Sequence, residues 1–427
     1  MQKRLWKVFL LLLFVAGAGL AHGVTAIDCG RLLDVRTGQL LHDQVILVEQ
    51  DRMIAVGGQA LLEQADTIIK LGGDYTVLPG LIDAHVHPLI FGDDYQVNHL
   101  KLSSAAKALH GLHAVQGWLR EGWTTIQIAG DADVEYAPFD IRDAIDAGLF
   151  IGPRILGAGH YLSATGGGGD INFLGPEQQV IADGLIVDGP AQMRKAVRRE
   201  IKYGSDWIKL LVTGAYMSAG DNPQAVHFSD AELRVAFEEA ENRGLPVMVH
   251  AHAAAGIKKA VRMGARSIEH GSFLDDEAIE LMLAEGTWLV PTLAVGRYLT
   301  EQQGYSDAMS KAVALHERYD ERNRAMLRKA ITRGVRIAVG SDNVGFPPYF
   351  AAREFEELTR LGMSPMQAIQ AGTRGNAELL MKEHEIGSIE AGKYADIIAV
   401  KGNPLDDISK MKELVFVMRS GQVIRSD

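Results

Sequence analysis

Between residues 80 and 339 the sequence alternates eight short apolar segments with amphipathic stretches, and this alternation restricts the possible folds more than any other feature. The strand-like segments are Gly80–Ala84, Thr124–Ala129, Arg154–Gly157, Trp207–Val212, Val247–His250, Ser267–Glu269, Trp288–Pro291 and Arg336–Val339. Helical periodicity lies between or after them, in Asp230–Arg243, Gly256–Met263, Asp275–Ala284, Ser310–Thr332 and Ala351–Leu361. Eight strands that alternate with helices predict an α/β fold, a parallel (β/α)8 TIM barrel.

A doubly wound open sheet is the alternative fold. It favours a glycine-rich phosphate turn directly after the first strand. The glycine run of this chain, Gly166–Gly169, follows the third strand instead and does not lead into a strong helix. We therefore interpret it as a loop.

The two ends of the chain differ from the middle. Residues 23–78 contain short alternating segments separated by glycine turns, and Ala395–Val400, Leu414–Arg419 and Gly421–Ile424 repeat that texture. The prediction is a small composite β-sandwich domain formed by residues 22–78 and 386–427, with the barrel domain at 79–385.

The first 21 residues resemble a secretory signal peptide. Lys3, Arg4 and Lys7 precede an apolar run, Val8–Leu20, which is short for a membrane span of roughly 20 residues. Cleavage after Ala21 and export, most simply to a periplasm, are expected, and an uncleaved anchor is the alternative. Since Cys29 is the only cysteine, the chain forms no internal disulfide.

The net charge of -11 argues against nucleic acid or an anionic membrane as a partner. A small-molecule substrate is the expected partner.

Residues of metal-ligand type stand at the ends of the predicted strands. His85 and His87 end the first strand, where period-2 spacing directs both imidazoles to one side. Three other strands contribute His250, His270 and Asp342. Because barrel enzymes place reacting groups at the carboxyl ends of strands, this pattern predicts a centre for zinc or a similar divalent ion.

Lys209 lies in the apolar fourth strand, between Ile208 and Leu210. A charged amine is costly to bury, so burial lowers its pKa. The neutral amine can add carbon dioxide and become a carbamate, whose two oxygens can bridge two metal ions. A lysine that reaches solvent from the strand end is the alternative interpretation.

Several motifs resemble the amidohydrolase superfamily over essentially the whole mature chain. They are Leu78–His87, Ile268–Gly271, Gly340–Asp342 and the closing segment Gly387–Asp396. Lys209 and the Val249–His252 motif are similar to the imidazolonepropionase-related branch, which contains metal-dependent dipeptidases, prolidase-like enzymes and ochratoxin-hydrolysing amidases.

The resemblance implies two divalent ions, most simply Zn2+, and carboxylated Lys209 between them. His85, His87 and Asp342 would hold one ion, and His250 and His270 the other. Asp342 would act as general base and then acid, His252 would contact the substrate or its oxyanion, and Tyr216 would contact a substrate carboxylate. A homo-oligomer is also implied.

The implied activity is cleavage of dipeptides or N-acyl amino acids, including amides like ochratoxin. The sequence departs from the branch at Gly168, where many relatives carry a histidine, so a wider loop and a bulkier acyl group are expected. A lactonase, a cyclic-amide hydrolase or a deaminase on the same scaffold is the alternative. A non-catalytic scaffold is a third reading, which the complete ligand set disfavours.

The other histidines do not fall into this pattern of strand ends, and we interpret them as surface, core or loop residues. His160 is the exception, because it lies near the end of the third strand. Ser310–Thr332 is interpreted as a solvated helix or a subunit contact. Ser341 lacks the strand-turn-helix elbow that a nucleophilic serine needs.

Overall fold

A computed structural model of the chain describes residues 23–92, 94–301 and 307–427. The described strands, in chain order, are β1 Thr25–Asp34, β2 Gln39–Glu49, β3 Arg52–Gly58, β4 Thr67–Pro79, β5 Leu81–Val86, β6 Trp123–Ala129, β7 Arg154–Ala158, β8 Tyr161–Ser163, β9 Leu185–Ile186, β10 Ile208–Leu211, β11 Val247–Ala253, β12 Ser267–Phe273, β13 Trp288–Val290, β14 Ile397–Lys401, β15 Leu414–Arg419 and β16 Gln422–Ser426.

Helices occupy most connections between the central strands. They are α1 Tyr95–Lys101, α2 Ser104–Arg120, α3 Ala137–Asp146, α4 Gly189–Lys202, α5 Asp230–Glu241, α6 Ala254–Arg262, α7 Asp276–Glu285, α8 Leu293–Glu301, α9 Asp307–Arg333, α10 Arg353–Arg360, α11 Pro365–Gln370 and α12 Asn376–Leu379. Within the described ranges, none of these helices has the length and apolar character needed to cross a membrane. The predicted signal peptide, residues 1–21, lies outside the described residues.

Two parallel sheets form the middle of the molecule, which confirms the predicted α/β class. One has the order β5-β6-β7 and the other the order β13-β12-β11-β10-β8-β9. Because neighbouring strands are parallel throughout, the carboxyl ends of the strands in each sheet share one edge. Seven of the eight predicted barrel strands correspond to strands of these sheets.

The eighth predicted strand, Arg336–Val339, is not a regular strand but an extended segment with isolated pairings. Ile337 pairs with Leu289 of β13, and Asn343 pairs with Val86 of β5, both in the parallel sense. Across the other gap between the sheets, Gly157 O accepts hydrogen bonds from the N–H groups of Asp206 and Trp207, at 2.8 and 3.2 Å. Each gap is therefore bridged by backbone hydrogen bonds.

A third, seven-stranded sheet combines strands from both ends of the chain, in the order β16-β15-β14-β4-β1-β2-β3. The antiparallel pair β4·β14 joins the two parts. Its two faces pack differently. Ile398 and Val400 belong to the large core under the parallel sheets, whereas Ile397 and Ala399 belong to a separate core with Phe416.

Asn376, at the start of α12, connects β5 to the extended segment. Its fully buried side chain donates to Ile82 O at 2.5 Å and to Val339 O at 2.7 Å, and it accepts from Val339 N at 3.1 Å. One amide thereby bonds three backbone groups of the two segments, of which Val339 O also accepts from Ala84 N at 2.9 Å.

Asn376→Ala should lower the free energy of unfolding by about 2–4 kcal/mol, because it removes the side-chain partner of Val339 N and of Ile82 O, while Val339 O keeps its bond from Ala84 N. Urea denaturation measures the change. The matched control is Asn403→Ala, whose side chain bonds only within an exposed turn, to Asp406 and Leu405 N. An equal loss in both variants would contradict the assigned role.

Candidate metal centre

One pocket at the carboxyl edges of the parallel strands contains every side chain that the sequence singled out for chemistry. It is lined by the six predicted ligands, here called the central cluster: His85, His87, Lys209, His250, His270 and Asp342. His252 and Tyr216, the predicted substrate contacts, line the same pocket. The structure therefore brings all eight residues together.

The first donor set consists of His85, His87 and Asp342. The Nε2 atoms of His85 and His87 lie 3.2 Å apart, and Asp342 Oδ1 lies 3.5 and 3.3 Å from them. The outer nitrogens are already engaged, since His87 Nδ1 donates to Gly130 O at 2.6 Å and His85 Nδ1 lies 2.6 Å from Glu269 Oε2.

This arrangement leaves two imidazole lone pairs and one carboxylate facing the same small volume. A carbonyl oxygen only accepts hydrogen bonds, so His87 must donate from Nδ1 to Gly130 O, and its Nε2 faces the shared volume. Burial lowers the pKa of His85 well below its usual value, which keeps that ring neutral. Two imidazole nitrogens and a carboxylate that converge in this way are a donor set that suits a divalent metal ion.

The second donor set consists of His250, His252 and His270. His250 Nε2 donates to Gly214 O at 3.1 Å, His252 Nδ1 lies 2.9 Å from Ser272 Oγ, and His270 Nδ1 lies 2.7 Å from Thr292 Oγ1. Each ring thus uses one nitrogen to fix its orientation and leaves the other free, as is typical of metal-binding histidines. His252, which the sequence suggested as a substrate contact, lies within ligand distance of the other two.

Unusual backbone conformations position part of this centre. His270 and Asp342 have φ values of 72° and 50°, in the left-handed region, and Thr292 has a φ of 51°. Such conformations cost roughly 1–3 kcal/mol each and concentrate at functional sites. At His270 the left-handed turn redirects the side chain, so that two consecutive residues, Glu269 and His270, both face the interior.

Lys209 is 1% exposed and lines the pocket together with both donor sets, and after burial it is the next cause that lowers the pKa of His85 and of His250. Burial lowers the pKa of its amine to about 8, although Glu269 and Asp342 act in the opposite direction. An appreciable part of the amine is consequently neutral near pH 8.

Glu269 is a functional candidate that the sequence interpretation missed. Its carboxylate is 1% exposed, contacts His85 Nδ1 at 2.6 Å and accepts from Ser267 Oγ at 2.5 Å. Strand alternation places Ser267 and Glu269 on one face, which was the available signal. In a regular strand only one of two consecutive residues faces the interior, and His270 was assigned to that position.

His160 does not belong to the pocket. Its Nδ1 lies 2.9 Å from the buried carboxylate of Glu200, which also accepts from Tyr136 and Ser205. It is a structural histidine. His316, in contrast, was treated as a surface, core or loop residue and lines the pocket.

The helix α9 also differs from its interpretation as a solvated helix or subunit contact. Asp320, Asn323, Arg324 and Leu327 from this helix form one wall of the pocket. The many arginines and glutamates of this segment suggested exposure to solvent. The residues that face the pocket are spaced by three and four and therefore lie on one side of the helix.

Gly168 lies where its loop meets the loop after β10. A Cβ atom there would lie 3.1 Å from Ala215 Cβ, 3.3 Å from Asp221 Oδ2 and 3.4 Å from Leu211 Cδ1. The glycine thus permits a close approach of two loops. The sequence predicted a wider loop at this position, but neighbouring side chains fill the space beside Gly168.

Comparisons with known proteins agree with this geometry. Residues 76–424 match the amidohydrolase family. The solved structure of a Xaa-Pro dipeptidase with bound methionine in the active site is 33% identical, with a TM-score of 0.87, and covers 94% of this chain and 100% of that chain. Ochratoxinase of Aspergillus niger is 32% identical over 374 residues, 82% of this chain and 75% of that protein. Imidazolonepropionase of Nocardia farcinica is 25% identical over 387 residues, 84% of this chain and 86% of that protein.

Glu269→Gln should weaken divalent-metal binding about 10- to 100-fold, because it removes the charged partner that orients His85. Competition with a chelator measures the affinity. The matched control is Glu200→Gln, which changes an equally buried carboxylate–histidine pair outside the pocket. That control should reduce stability but not metal affinity, and an equal loss of affinity in both variants would argue against an orienting role.

Proposed function

The chain belongs to the amidohydrolase family and is a hydrolase of carbon–nitrogen bonds, and from this premise we propose that it is a two-metal amide hydrolase. The proposed substrates are dipeptides or N-acyl amino acids. The observation that carries the proposal is the convergence of imidazole nitrogens and a carboxylate in one pocket. The resemblance to the superfamily predicted from the sequence motifs is confirmed.

The proposed ligands divide between two divalent ions, most simply Zn2+. His85, His87 and Asp342 would hold one ion, and His250 and His270 the other. We keep His252 as a substrate or oxyanion contact. It lies two residues after His250 in the same strand, so its side chain faces the same pocket. When bound, the ions supply Lewis acidity, which activates water and polarises the amide carbonyl.

Carboxylated Lys209 is the proposed bridge. The neutral amine attacks carbon dioxide, forms an N–C bond and loses a proton, which leaves a carbamate with two oxygen donors. Support comes from the burial of Lys209 in the pocket that both donor sets line and from the direction of its pKa shift. A buried ammonium would be costly here, whereas an anionic carbamate would be stabilised by divalent cations.

Asp342 is the proposed proton carrier. As general base it takes the proton of the attacking water, and as general acid it delivers that proton to the nitrogen of the leaving amine. Its carboxylate lies 3.3 Å from His87 Nε2 and therefore at the centre of the first donor set. His252 and Tyr216 stand beside each other, with ring centroids 4.5 Å apart, and are the proposed substrate contacts.

The substrate class rests on the relatives. One is an ochratoxinase and another a Xaa-Pro dipeptidase, so we propose an amide with an amino-acid leaving group, which includes ochratoxin A hydrolysis to release phenylalanine. A lactonase, a cyclic-amide hydrolase or a deaminase is the alternative. The buried Lys209 favours the two-metal amidase, since it supplies a group that a single-metal deaminase does not need.

Two architectural proposals accompany the function. The backbone bonds across both gaps support a single closed (β/α)8 barrel at residues 79–385. The two cores on opposite faces of the seven-stranded sheet support a composite β-sandwich domain at residues 22–78 and 386–427.

Export to a periplasm or the medium, after removal of residues 1–21, and assembly into a homo-oligomer complete the proposal. They rest on the basic and apolar pattern of the N-terminus and on the superfamily resemblance, respectively.

The test is metal content together with hydrolysis of a panel: Xaa-Pro, Xaa-Arg and Xaa-Phe dipeptides, N-acyl-phenylalanine, ochratoxin A and a lactone. The purified protein should hold about two metal ions and cleave an amide, and Lys209→Ala should lose most of both, since its bridge is removed. Cleavage of the lactone alone would refute the proposal in favour of the alternative.

Carboxylation of Lys209 should depend on pH in a defined direction. With a pKa of about 8, the neutral amine fraction rises from about one tenth at pH 7 to about nine tenths at pH 9. At constant dissolved carbon dioxide, the metal-stripped protein should form the carbamate roughly tenfold faster at pH 9. Mass spectrometry follows the reaction.

The internal control is Lys107, which is equally buried but donates to His99 Nδ1 and Ala132 O at 2.9 Å and contacts Asp133. It should remain unmodified. A carbamate that forms at the same rate at both pH values would count against a buried neutral amine.

A further inference from the structure

The side of the pocket next to the first donor set carries two tyrosines, here called the tyrosine wall: Tyr95 and Tyr161. The Tyr161 ring stands at 78° to the His87 ring, with the ring centroids 6.3 Å apart. Tyr216, the proposed carboxylate contact, instead adjoins His252 of the second donor set. When the carboxylate of a substrate lies at Tyr216 and its amide lies at the centre, its acyl arm therefore extends towards the tyrosine wall.

Each phenol of the tyrosine wall already donates its single proton to a group of the protein. Tyr161 Oη donates to Asp183 Oδ2 at 2.9 Å. Tyr95 Oη lies 3.3 Å from Ser218 Oγ, and because Ser218 donates to Gly168 O at 2.6 Å, Tyr95 is the donor of that pair. A hydroxyl whose proton is committed can only accept further hydrogen bonds, so both tyrosines can serve a ligand only as acceptors.

Asp183 is the group that enforces this polarity. It is fully buried, and the side chains that donate to it are neutral: Tyr161 and the Gln96 amide, whose nitrogen lies 3.4 Å from both carboxylate oxygens. Burial raises the pKa of Asp183 to about 6, so the carboxylate is mostly ionised at pH 7. Burial, followed by the charge of Asp183, raises the pKa of both phenols well above its usual value, so Tyr95 and Tyr161 keep their protons. A negative charge one hydrogen bond away makes the Tyr161 oxygen a stronger acceptor.

The tyrosine wall consequently distinguishes ligand groups by their hydrogen-bond polarity. A carboxylate or an oxyanion placed against it would meet oxygen acceptors and the charge of Asp183, which repel it. A methyl or methylene group would remove water from these acceptors without replacing its hydrogen bonds, which costs free energy. An N–H or O–H group pairs with the acceptors, and an ammonium group is attracted by the buried carboxylate as well.

We propose that the tyrosine wall binds a hydrogen-bond donor on the acyl arm of the substrate, an N–H or O–H group close to the reacting carbonyl, and that it disfavours arms without one. Tyr95 and Tyr161 accept from this donor, and Asp183 is a positioning residue that holds and polarises Tyr161. Dipeptides with a free amino group and 2-hydroxyacyl amino acids share the required chemistry. This inference rests on the proposed amide hydrolysis, and it selects among the substrates of that reaction.

The experiment compares three substrates with the same leaving group and nearly the same size. Alanyl-, lactoyl- and propionyl-phenylalanine differ only in the group on the carbon next to the carbonyl, which is an ammonium, a hydroxyl or a hydrogen. The kcat/KM of the metal-loaded enzyme should be at least about tenfold higher for a substrate with the donor than for propionyl-phenylalanine. Equal values for the alanyl and lactoyl substrates identify a neutral donor as sufficient, and a higher value for the alanyl substrate identifies the ammonium group as preferred. Propionyl-phenylalanine cleaved as efficiently as both would overturn the assignment.

Variants separate the tyrosine wall from the intrinsic reactivity of the three amides. Tyr161→Phe keeps the ring but removes the acceptor, so the ratio of kcat/KM between the donor substrates and propionyl-phenylalanine should fall at least about threefold. Tyr95→Phe should lower the same ratio from helix α1, so the test holds even when one variant does not fold. Asp183→Asn keeps an acceptor for Tyr161 but removes the charge, and it should lower the alanyl substrate relative to the lactoyl substrate. The matched control is Tyr136→Phe, which removes a buried hydroxyl that donates to Glu200 at 2.8 Å outside the pocket, and it should leave the ratios unchanged.

Calorimetric titration of the metal-loaded protein with the same three compounds separates this inference from the proposed function. If no amide is cleaved but the compounds with a donor bind more tightly than propionyl-phenylalanine, the proposed function fails and the tyrosine wall stands. If amides are cleaved with no dependence on the donor, or if neither tyrosine variant lowers the ratio, the proposed function stands and the tyrosine wall is overturned. Equal binding of all three compounds to a protein that cleaves none would overturn both.

Discussion

The fold holds His85 and His87 in a position where the lone pairs of their facing nitrogens repel each other, and the rest of the site is built around this constraint. Their Nε2 atoms lie 3.2 Å apart and face the carboxylate of Asp342, while their Nδ1 protons are committed to Glu269 and to Gly130 O. Without a cation the three groups would repel one another in a medium of low polarity. The outer hydrogen bonds prevent the three groups from moving apart. A bound metal ion relieves the repulsion between them, and this relief adds to the free energy of metal binding. The fold therefore acts as a frame that holds an unfavourable arrangement of acceptors.

Most of the fold and of the candidate site could be predicted from strand periodicity, because this periodicity determines which residues share one face of a strand. Seven strands of the two parallel sheets and the convergence of His85, Lys209 and His250 followed from that rule. It failed where the backbone leaves the β region. At His270 a positive φ reverses the expected direction, which concealed Glu269. The eighth segment, Arg336–Val339, forms isolated pairings because Asn376 replaces part of its ladder.

Strands and connecting segments have separate tasks in this pocket. The strand ends supply the central cluster, whose chemistry is the same for any amide. The loop after β10 and the helix α9 supply Tyr216, Asn323 and Arg324, which line the same pocket. Such a division allows specificity to change without disturbing the ligands, in agreement with the general behaviour of barrel enzymes.

The pairing of β4 with β14 has a consequence for synthesis of the protein. Thr76 Oγ1 donates to Gly402 O at 2.6 Å, across 326 residues of sequence. A ribosome adds about 5–20 residues per second, so the N-terminal strands emerge many seconds before their partners exist. During that interval the edge of β4 is an open row of backbone donors and acceptors, which is prone to pair with other chains. The nascent protein should therefore depend on a chaperone until β14 has left the exit tunnel, because the 326 residues between these two positions take roughly 16–65 seconds to translate.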